Sequence, residues 1–453
     1  MHSPSLSAWA IALLFASFSN AFRNVMYIDI WHSNLPTNRT ITAGITHVIM
    51  AFVDPKNFST TEYLPSPPLM SVQDVRSYFD NGTKVGIALG GWGDYSASFS
   101  LVSTKENRTT FATNLANWME KEDYDFVDID WEYPGGNGAL ATPDPAAEIE
   151  NFPPFLEAIK GALKPGRGIS LPVAATPVGM AAFNSTEQTK PIWDSIDFIT
   201  VMAYDYVNRA SHMTGHHTDV EASKVAVQRY IDLGLSAEKI NLGFAFYAKY
   251  FAVDDSCDNF IVPDACSIVP AQYPNGTDNY KSGVLTYESR YINPQPVPTL
   301  QGVHPGGICG YNNNTLTSYN CADTNCCSDY GYCGNTQLYC LGNCQAGFGH
   351  CDGPDTIASF KKARENFKYD EAKGGLWYFD ETTSPKLFWT WENTDLMSRK
   401  FDEIVNNATH KLGGISGWSL GENTAGWDHV RQMQNMTHLR SSEGQDDECP
   451  QLP

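Results

Sequence analysis

Asp125-Phe-Val-Asp128-Ile-Asp130-Trp131-Glu132-Tyr133-Pro134 is a run in which acidic and apolar residues alternate, in a segment typical of a buried strand. Successive side chains of a strand point to opposite faces, so Asp128, Asp130 and Glu132 share one face and Trp131 lies with the apolar core on the other. Burying ionisable groups is costly unless they are paired. Coupled carboxylates in an apolar setting have raised pKa values, as general acid catalysis requires. The run therefore predicts a catalytic site.

Two other interpretations of these acids stay open at this point. They could line the solvated face of an edge strand, although the glycine-rich loop after Pro134 places them at the end of a strand. They could also bind a hard cation, but no phosphate-binding loop or flanking histidine accompanies them. The pair His216-His217 lacks partner ligands at zinc spacing and is interpreted as a polar loop. We therefore expect neither a metal nor a cofactor.

Short apolar segments alternate with longer segments of helical periodicity over most of the chain. Helical spacing is clear in Phe111–Lys121, Phe155–Leu163 and Ala222–Leu233. This alternation predicts an α/β fold, a (β/α)8 TIM barrel with its active site at the carboxyl ends of the strands. The predicted strands are Val25–Ile28, Thr46–Val53, Lys84–Leu89, Phe126–Trp131, Ile169–Ala174, Phe198–Ala203, Ile240–Phe246 and Gly414–Trp418.

The composition and the first residues indicate a secreted protein that does not bind polyanions. A formal charge of −21 and a pI near 4.8 make nucleic acid an unfavourable partner. The apolar run Trp9–Phe18, followed by the small residues Ser19-Asn20-Ala21, is typical of a removed signal peptide. No later segment is long and apolar enough for a membrane span, and the polar, acidic tail argues against a lipid-anchor signal.

Sites for N-glycosylation agree with secretion. Asn-x-Ser/Thr triplets without proline are the acceptor pattern, and nine of them suit a secreted glycoprotein. They begin at Asn38, Asn57, Asn81, Asn107, Asn184, Asn275, Asn313, Asn407 and Asn435.

Cysteines are concentrated in one late segment. Eight of the eleven lie between Cys309 and Cys351, and none precedes Cys257. In a secreted chain such a cluster predicts a disulfide framework, and no histidine stands at zinc-finger spacing among these cysteines. The interval between the seventh and eighth predicted strands is too long for one loop and includes the Pro-rich run Asn293-Pro-Gln-Pro-Val-Pro298. These features predict an inserted domain.

The barrel motifs resemble those of glycoside hydrolase family 18, the chitinases, over most of the mature chain. Ala88-Leu-Gly90-Gly91-Trp92 resembles the third-strand S-x-G-G motif of that family, with Ala88 in place of the serine. The other matches are Asp125, Asp128, Asp130 and Glu132 for D-x-x-D-x-D-x-E, Met202-Ala203-Tyr204-Asp205 for M-x-Y-D, and Gly414-Ile-Ser-Gly-Trp418 for the eighth strand.

The cysteine-rich segment resembles a hevein-like chitin-binding module. Its cysteines follow the order of that module, and Cys327–Cys340 matches the sugar-binding stretch. The residues expected to bind chitin there are Ser328, Tyr330, Tyr332 and Tyr339. The resemblance implies the pairs Cys309–Cys327, Cys321–Cys333, Cys326–Cys340 and Cys344–Cys351, while Cys257 and Cys266 could pair with each other and leave Cys449 odd.

The two resemblances together imply a nested domain order. Leu285-Thr-Tyr287-Glu288 and Gly375-Leu-Trp377-Tyr378 resemble the two halves of the small α+β insertion that is common in the family. The predicted order is a signal peptide (1–21), the first part of the barrel (22–250), the start of the insertion with a Pro-rich linker (251–308), the hevein-like module (309–351), the end of the insertion (352–395), the last part of the barrel (396–440) and an acidic tail (441–453).

The family resemblance also implies substrate-assisted catalysis with retention, an exception to the usual pair of protein carboxylates. Glu132 is expected to act as general acid and then as base, while the N-acetyl oxygen of the substrate attacks the anomeric carbon to give an oxazolinium intermediate. Asp130 is expected to orient that acetamide, Tyr204 to donate a hydrogen bond to it, and Asp128 to set the proton affinity of Asp130. The other residues expected to contact substrate are Tyr27, Trp92, Tyr133, Met202, Asp205 and Trp418.

The departure at Ala88 leads to a separate hypothesis. In the family the serine holds the carboxylate equivalent to Asp128, so Asp128 is expected to lack one hydrogen-bond donor unless a water or Tyr27 serves. Its charged form is then less favoured. The hypothesis predicts a shifted or narrowed pH–rate profile rather than loss of activity.

The leading functional hypothesis is a secreted chitinase that binds chitin and chito-oligosaccharides. The main alternative is a chitin-binding lectin or effector that sequesters oligomers without cutting them, although Glu132 is retained. A third is a chitinase-like subunit of a killer-toxin type of complex, for which Cys449 would offer an intermolecular disulfide. Related N-acetylglucosaminidases act on N-glycans, and the barrel motifs do not separate the two substrates. The sequence identifies no protein partner.

Overall fold

The computed structural model describes residues 22–61, 64–93, 95–136, 138–139, 142, 144–257, 260, 262–273, 277–292, 300–311, 318–322 and 324–443. The predicted signal peptide (1–21), the Pro-rich run (293–298), Asn275, Asn313 and Cys449 lie outside these residues. In the part of the chain that is described, no helix is both long and apolar enough to cross a membrane.

Eight parallel strands close into a barrel, as the strand–helix alternation predicts. With strands numbered along the chain, they are β1 (Arg23–Asp29), β2 (His47–Val53), β3 (Lys84–Gly90), β4 (Phe126–Asp130), β5 (Gly168–Ala174), β6 (Phe198–Met202), β7 (Ile240–Ala245) and β17 (Gly414–Trp418). Each pairs with its neighbour in sequence order, and β17 closes the ring between β7 and β1. The TIM barrel predicted from the sequence is confirmed.

The strand β4 shows why the barrel positions the acids. Ile129 and Trp131 pack outward among the helices, where the Trp131 ring stacks on Phe99 with the centroids 5.1 Å apart. Asp128 and Asp130 occupy the alternate positions and are buried on the inner side. The predicted division of this run into an apolar face and an acidic face is therefore confirmed.

Helices cover the outside of the barrel and include the segments predicted from helical spacing. At the start of α5 the Asp144 side chain accepts a hydrogen bond from Ala147 N, and Pro145 occupies the first turn, where its missing N–H costs nothing. The helices are α1 (Arg39–Thr42), α2 (Val72–Ser77), α3 (Tyr95–Val102), α4 (Arg108–Glu122), α5 (Pro145–Ala162), α6 (Thr186–Ser195), α7 (Val220–Asp232), α8 (Ser289–Ile292), α9 (Gln337–Cys340), α10 (Thr356–Glu365), α11 (Thr394–Lys400) and α12 (Asp428–Glu443).

A second, antiparallel sheet is inserted between β7 and β17. Its strands are β8 (Tyr247–Ala252), β9 (Ser282–Thr286), β14 (Lys368–Asp370), β15 (Gly375–Asp380) and β16 (Leu387–Trp391), in the order β14, β15, β16, β8, β9. The insertion therefore begins at Tyr247, and the predicted boundary after residue 250 is wrong. The apolar run from Phe244 to Val253 is interrupted only by Lys249, so the sequence has no turn residue where the chain leaves the barrel.

The end of the insertion and the tail also differ slightly from the predicted boundaries. The barrel resumes with α11 at Thr394 rather than at residue 396, because Asn393 caps this helix by accepting from Leu396 N. A π-helical run, Phe401–Val405, continues from α11. Residues 441–443, predicted as tail, are the last residues of α12.

The cysteine-rich module has little secondary structure and is held by disulfides. Its short strands are β11 (Ser318–Asn320), β12 (Cys326–Cys327) and β13 (Cys333–Gly334), and β10 (Leu300–Val303) precedes it and pairs with β11. The disulfides are Cys309–Cys327, Cys321–Cys333, Cys326–Cys340 and Cys344–Cys351, the pairs that the hevein-like resemblance implies, together with Cys257–Cys266.

Candidate active site

The predicted catalytic acids lie at the carboxyl end of β4, inside the barrel mouth. Asp128 and Asp130 are almost fully buried, and Glu132, two residues beyond the strand, is half-buried. Ala88 on β3 and Ser170 on β5 stand level with Asp128 on its two neighbouring strands. Asp128 is therefore flanked by one position without a hydroxyl and one position with a hydroxyl.

Two hydroxyl groups hold the carboxylate of Asp128. Tyr27 donates to its Oδ2 at 2.8 Å, and Ser170 donates to its Oδ1 at 2.5 Å. Burial raises the pKa of Asp128 to about 6, and the two hydrogen bonds act in the opposite direction. Asp128 does not lack a donor despite Ala88, because Tyr27, which the hypothesis named as a substitute, donates to it together with Ser170. Ser170 supplies the second hydroxyl from β5, the opposite neighbouring strand.

Asp130 is buried between the other two acids of the run. Its Oδ1 is buried and has no hydrogen-bond partner among the described residues. Burial, with the nearby charges of Glu132 and Asp128, raises the pKa of Asp130 well above its ordinary value. Buried polar atoms are nearly always paired, so an unpaired oxygen here points to a ligand that would complete the site.

Glu132 has the environment of a general acid. Burial raises its pKa to about 7, a hydrogen bond with Tyr133 lowers it, and the negative charge of Asp205 raises it further. The loop after Glu132 is anchored by the buried Glu148, whose Oε2 accepts from Gly135 N at 2.9 Å. Glu132 can therefore carry a proton close to neutral pH.

Asp205, just beyond β6, is stabilised in its charged form by an ammonium group, a tyrosine hydroxyl and a histidine ring. Lys249 lies 2.7 Å from its Oδ2, Tyr247 donates to its Oδ1 at 2.8 Å, and the His217 ring lies 3.7 Å from Oδ1. Burial acts to raise the pKa of Asp205, but Lys249 and His217 bring it below its ordinary value. Met202 and Tyr204 are half-buried on the same segment.

His216 and His217 lie in a loop, as predicted, and the structure adds that this loop is buried. Both rings are buried: His216 Nε2 lies 3.1 Å from Asp370, and the His217 ring packs on Tyr247 with centroids 5.4 Å apart. Burial lowers the pKa of His217 to about 4. Two of the partners of these residues lie on strands of the insertion sheet, Asp370 on β14 and Thr390 on β16, which the sequence did not indicate.

Aromatic rings form a surface across the barrel mouth. Trp418 is half-buried and packs on Tyr27 at 5.3 Å and on Phe52 at 5.5 Å between centroids, and Phe52 in turn lies 6.1 Å from Trp31. Trp31 is 54% exposed and Trp92 is 53% exposed. Phe52 and Trp31 were not among the predicted site residues. Their positions directly at the ends of β2 and β1 are the signal that would have found them.

The predicted sugar-binding residues of the module differ in exposure. Tyr330 is 74% exposed, Tyr332 is 54% exposed and Tyr339 is partly buried beside Gly334. Ser328 is buried, and its Oγ accepts a hydrogen bond from Tyr332 N at 3.2 Å. In this structure Ser328 therefore supports the loop that presents the two exposed tyrosines.

The described asparagines of the glycosylation triplets are accessible to different degrees. Asn57 and Asn107 are partly buried. The side chains that are exposed belong to Asn38, Asn81, Asn184, Asn407 and Asn435.

Comparison with known proteins places this arrangement in a family. The profile described as "Glycosyl hydrolases family 18" matches residues 23–423. The chain belongs to this family. It is thus a glycosidase of the chitinase type, which confirms the resemblance identified in the sequence.

Individual relatives are distant. Chitotriosidase-1 of Mus musculus is 28% identical over 331 residues, which cover 64% of this chain and 68% of that protein. A "chitinase-like effector" of Moniliophthora roreri is 28% identical over 245 residues, covering 50% of this chain and 58% of that protein. A Rhizomucor miehei chitinase structure aligns with a TM-score of 0.60 at 15% identity, over 91% of this chain and 99% of that one, which shows the shared fold.

Removing the Ser170 hydroxyl should shift the acidic side of the pH–rate profile. In Ser170→Ala the charged form of Asp128 loses a donor, so the pKa of Asp128 rises. A hydrogen bond to a charged group contributes about 1.5–3 kcal/mol, which corresponds to roughly one to two pH units. We expect the acidic limb of kcat/KM to move to higher pH by about one unit, measured on a soluble oligosaccharide.

A serine at position 88 should restore the lost hydrogen bond, because Ala88 lies beside Asp128 on the other neighbouring strand, β3. The double variant Ala88→Ser/Ser170→Ala should return the profile toward that of the wild type. Ala88→Ser alone should change it little, since both oxygens of Asp128 already accept a hydroxyl. A profile that does not move in Ser170→Ala would contradict the assigned role.

Proposed function

We propose that this chain hydrolyses β-1,4 linkages between N-acetylglucosamine units of chitin, with retention of configuration and with Glu132 as acid and base. The observation that carries the proposal is the buried Oδ1 of Asp130, which has no hydrogen-bond partner among the described residues. Asp130 lies between Asp128, whose carboxylate accepts two hydroxyl groups, and Glu132, whose pKa is raised to about 7. The N–H of a substrate acetamide is the donor that would form a hydrogen bond with this oxygen.

In the first step Glu132 donates its proton to the glycosidic oxygen as the bond from that oxygen to the anomeric carbon breaks. The carbonyl oxygen of the substrate acetamide forms the new bond to the anomeric carbon, which gives an oxazolinium ion. Asp130 accepts a hydrogen bond from the acetamide N–H and stabilises the positive charge. Burial and the neighbouring carboxylates raise the pKa of Tyr204 well above its ordinary value, so its hydroxyl stays protonated and can donate to the acetamide oxygen.

In the second step Glu132, now a carboxylate, removes a proton from water as the water oxygen bonds to the anomeric carbon. The oxazolinium carbon–oxygen bond breaks, and the acetamide is restored. Two successive inversions leave the original β configuration. Asp128 does not touch the substrate in this scheme, because both its oxygens accept hydroxyl groups of the protein.

Sugar binding is assigned to the aromatic surface. Trp418, supported by Tyr27 and Phe52, would contact the apolar face of the sugar at the cleavage site, and the exposed ring of Trp92 would stack on the neighbouring sugar. Tyr133, Met202 and the other half-buried residues around Glu132 would complete the walls. The disulfides of the described residues support function in an oxidising, extracellular compartment, as proposed from the predicted signal peptide.

The test is the cleavage of a defined N-acetylglucosamine hexamer, with the anomers of the products resolved during the first turnovers. We expect shorter oligomers that appear as β-anomers. Because Glu132 must carry a proton to start the reaction, kcat/KM should fall as pH rises above about 7, roughly tenfold for each unit.

The same experiment separates the enzyme from a carbohydrate-sequestering protein. Tight binding of the hexamer without cleavage, from acidic to neutral pH, would contradict hydrolysis and favour the lectin or effector hypothesis. Products that first appear as α-anomers would contradict the retaining mechanism while leaving hydrolysis in place.

A further inference from the structure

The hevein-like module is docked on the insertion sheet by polar contacts. Asn343 Nδ2 donates to Val284 O on the edge strand β9 at 2.9 Å, and Thr356 Oγ1 at the start of α10 donates to Asn343 Oδ1 at 3.1 Å. Gln337 Nε2 lies 3.2 Å from the Tyr273 hydroxyl. The module thus contacts the edge strand β9 through Asn343 and a neighbouring loop of the insertion through Gln337.

A second contact lies beside the sugar-binding loop. Tyr291 is buried, and its hydroxyl donates to Asp329 Oδ1. Arg290 Nη1 donates to Asp329 O at 3.2 Å, and the Arg290 guanidinium lies 4.4 Å from the centre of the Tyr291 ring. Separating the module would break the hydrogen bonds of the buried Tyr291 and the partly buried Arg290 to Asp329, which opposes free movement of the module.

The docked loop is connected to the barrel mouth by a continuous series of polar contacts. Arg290 lies 3.2 Å from Glu288, which lies 3.9 Å from His32. His32 lies 3.1 Å from Asp29 at the end of β1, and Asp29 accepts from Ser419 Oγ at 2.6 Å. Ser419 directly follows Trp418. The module therefore sits on the side of the mouth formed by β1 and β17.

Exposed aromatic rings lie next to this series of polar contacts, both at the barrel mouth and on the module. Trp31 precedes His32 and is 54% exposed, while Tyr330 follows Asp329 and is 74% exposed. Tyr332, on the same loop, is also largely exposed. Exposed aromatic side chains on a rigid support are a typical surface for the apolar faces of sugars, and a group of them marks a binding site.

We propose that the docked module and the β1–β17 rim of the barrel form one binding track for a single chitin chain, running from Trp418 past Trp31 to Tyr330 and Tyr332. The inference rests on the proposed substrate. It differs from a tethered module that holds the polymer independently of the cleft. When two binding surfaces are fixed at a matching distance, the second contact becomes intramolecular and its effective concentration is highest. Because the docked module is already held in place, little conformational entropy of the protein is lost when one chitin chain binds both surfaces.

The experiment measures binding rather than cleavage, in the background of Glu132→Gln. Affinities are compared for a tetramer, which is short, and for a soluble chitin derivative of long chain length. The undocked variant is Asp329→Ala/Gln337→Ala/Asn343→Ala, which removes the module's side-chain hydrogen bonds to Tyr291, Tyr273 and Val284. Of the docking hydrogen bonds given above, it leaves only the one from Arg290 to the backbone oxygen of Asp329. The comparison variant is Tyr330→Ala/Tyr332→Ala, which keeps the docking and removes the rings.

We expect the long chain to bind the docked protein at least about tenfold more tightly than the tetramer, and both variants to lose most of that gain. Tetramer affinity should be unchanged in the undocked variant, which retains Trp31, Tyr330 and Tyr332. The undocked variant should have no more free thiol than the docked protein, which shows that the four disulfides of its module are still formed. Arg290→Ala/Tyr291→Phe, made on the insertion side, should reproduce the loss and excludes a local effect on the loop.

An undocked variant that keeps the full gain for long chains would overturn the proposal and leave the module as an independent tether. This failure is distinct from failure of the proposed hydrolysis. A protein that does not cleave the hexamer but shows the long-chain gain has the track without the reaction, and one that cleaves without the gain has the reaction without the track.

Discussion

Replacing Glu132 by Gln should lower the rate of hexamer cleavage by about a thousandfold or more, because general acid–base catalysis contributes 10²–10⁴ and Glu132 serves in both steps. Glutamine has nearly the same volume and can still form hydrogen bonds, but its amide cannot transfer a proton to the glycosidic oxygen. Binding of the hexamer should therefore stay within a few fold of the wild type. Initial rates and calorimetric titration measure the two quantities.

The matched control is Glu157→Gln, the same chemical change on the exposed side of α5. It should leave both the rate and the affinity unchanged. If Glu132→Gln keeps more than about a tenth of the wild-type rate, Glu132 is not the general acid, because loss of that role lowers the rate by at least about a hundredfold.

Replacing Lys400 by Met should destabilise the fold by about 3–5 kcal/mol, because it leaves a buried acid without its cation. Lys400 Nζ lies 2.9 Å from Glu392 Oε1, and both side chains are fully buried. Lys400 also donates to Ala203 O at 3.3 Å, and Glu392 Oε2 accepts from Ala245 N at 3.0 Å. The pair thus joins the ends of β6 and β7 to the segment where the chain returns from the insertion. Denaturant unfolding at several pH values measures the loss.

The pH dependence of this loss has a definite sign. Burial raises the pKa of Glu392 above its ordinary value of 4.5 even with Lys400 beside it, and removing Lys400 raises it further. A group whose pKa is higher in the folded state contributes less stability as pH rises. The deficit of Lys400→Met should therefore be smallest in acid, where Glu392 is protonated in both proteins, and should grow as pH rises above the raised pKa of Glu392 in the wild type.

A double variant provides the control for the buried pair. Lys400→Met/Glu392→Met removes both charges and should recover much of the stability, since apolar replacements of a buried pair are often neutral. A single variant whose free energy of unfolding falls by less than about 1 kcal/mol would show that Glu392 finds another partner or solvent.

Much of the barrel and of the acid site was predictable because the signals are local. The alternation on β4 assigns Asp128 and Asp130 to one face regardless of what surrounds them, and the strands are short apolar segments separated by helices. The boundary at Tyr247 was not predictable, because the sequence from Phe244 to Val253 is apolar apart from Lys249 and has no turn residue between β7 and β8. Only pairing with different sheets distinguishes them.

The partners of the acids required the tertiary structure. Ser170 is 42 residues from Asp128, and nothing in its own segment marks it as a donor to a carboxylate. It becomes one because β5 lies beside β4 with these two residues in register. Lys249 meets Asp205 for a similar reason, since β8 leaves the barrel and passes over the end of β6.

The sequence by itself determined the barrel, the row of acids and the cysteine-rich module, because each is encoded by spacing within one short segment. The tertiary structure alone decided which hydroxyl replaces the serine absent at position 88, which cation holds Asp205 charged, and where the module docks. These features are contacts between segments distant in the chain. Their energies depend on distance and burial, which only the closed barrel and its insertion bring about.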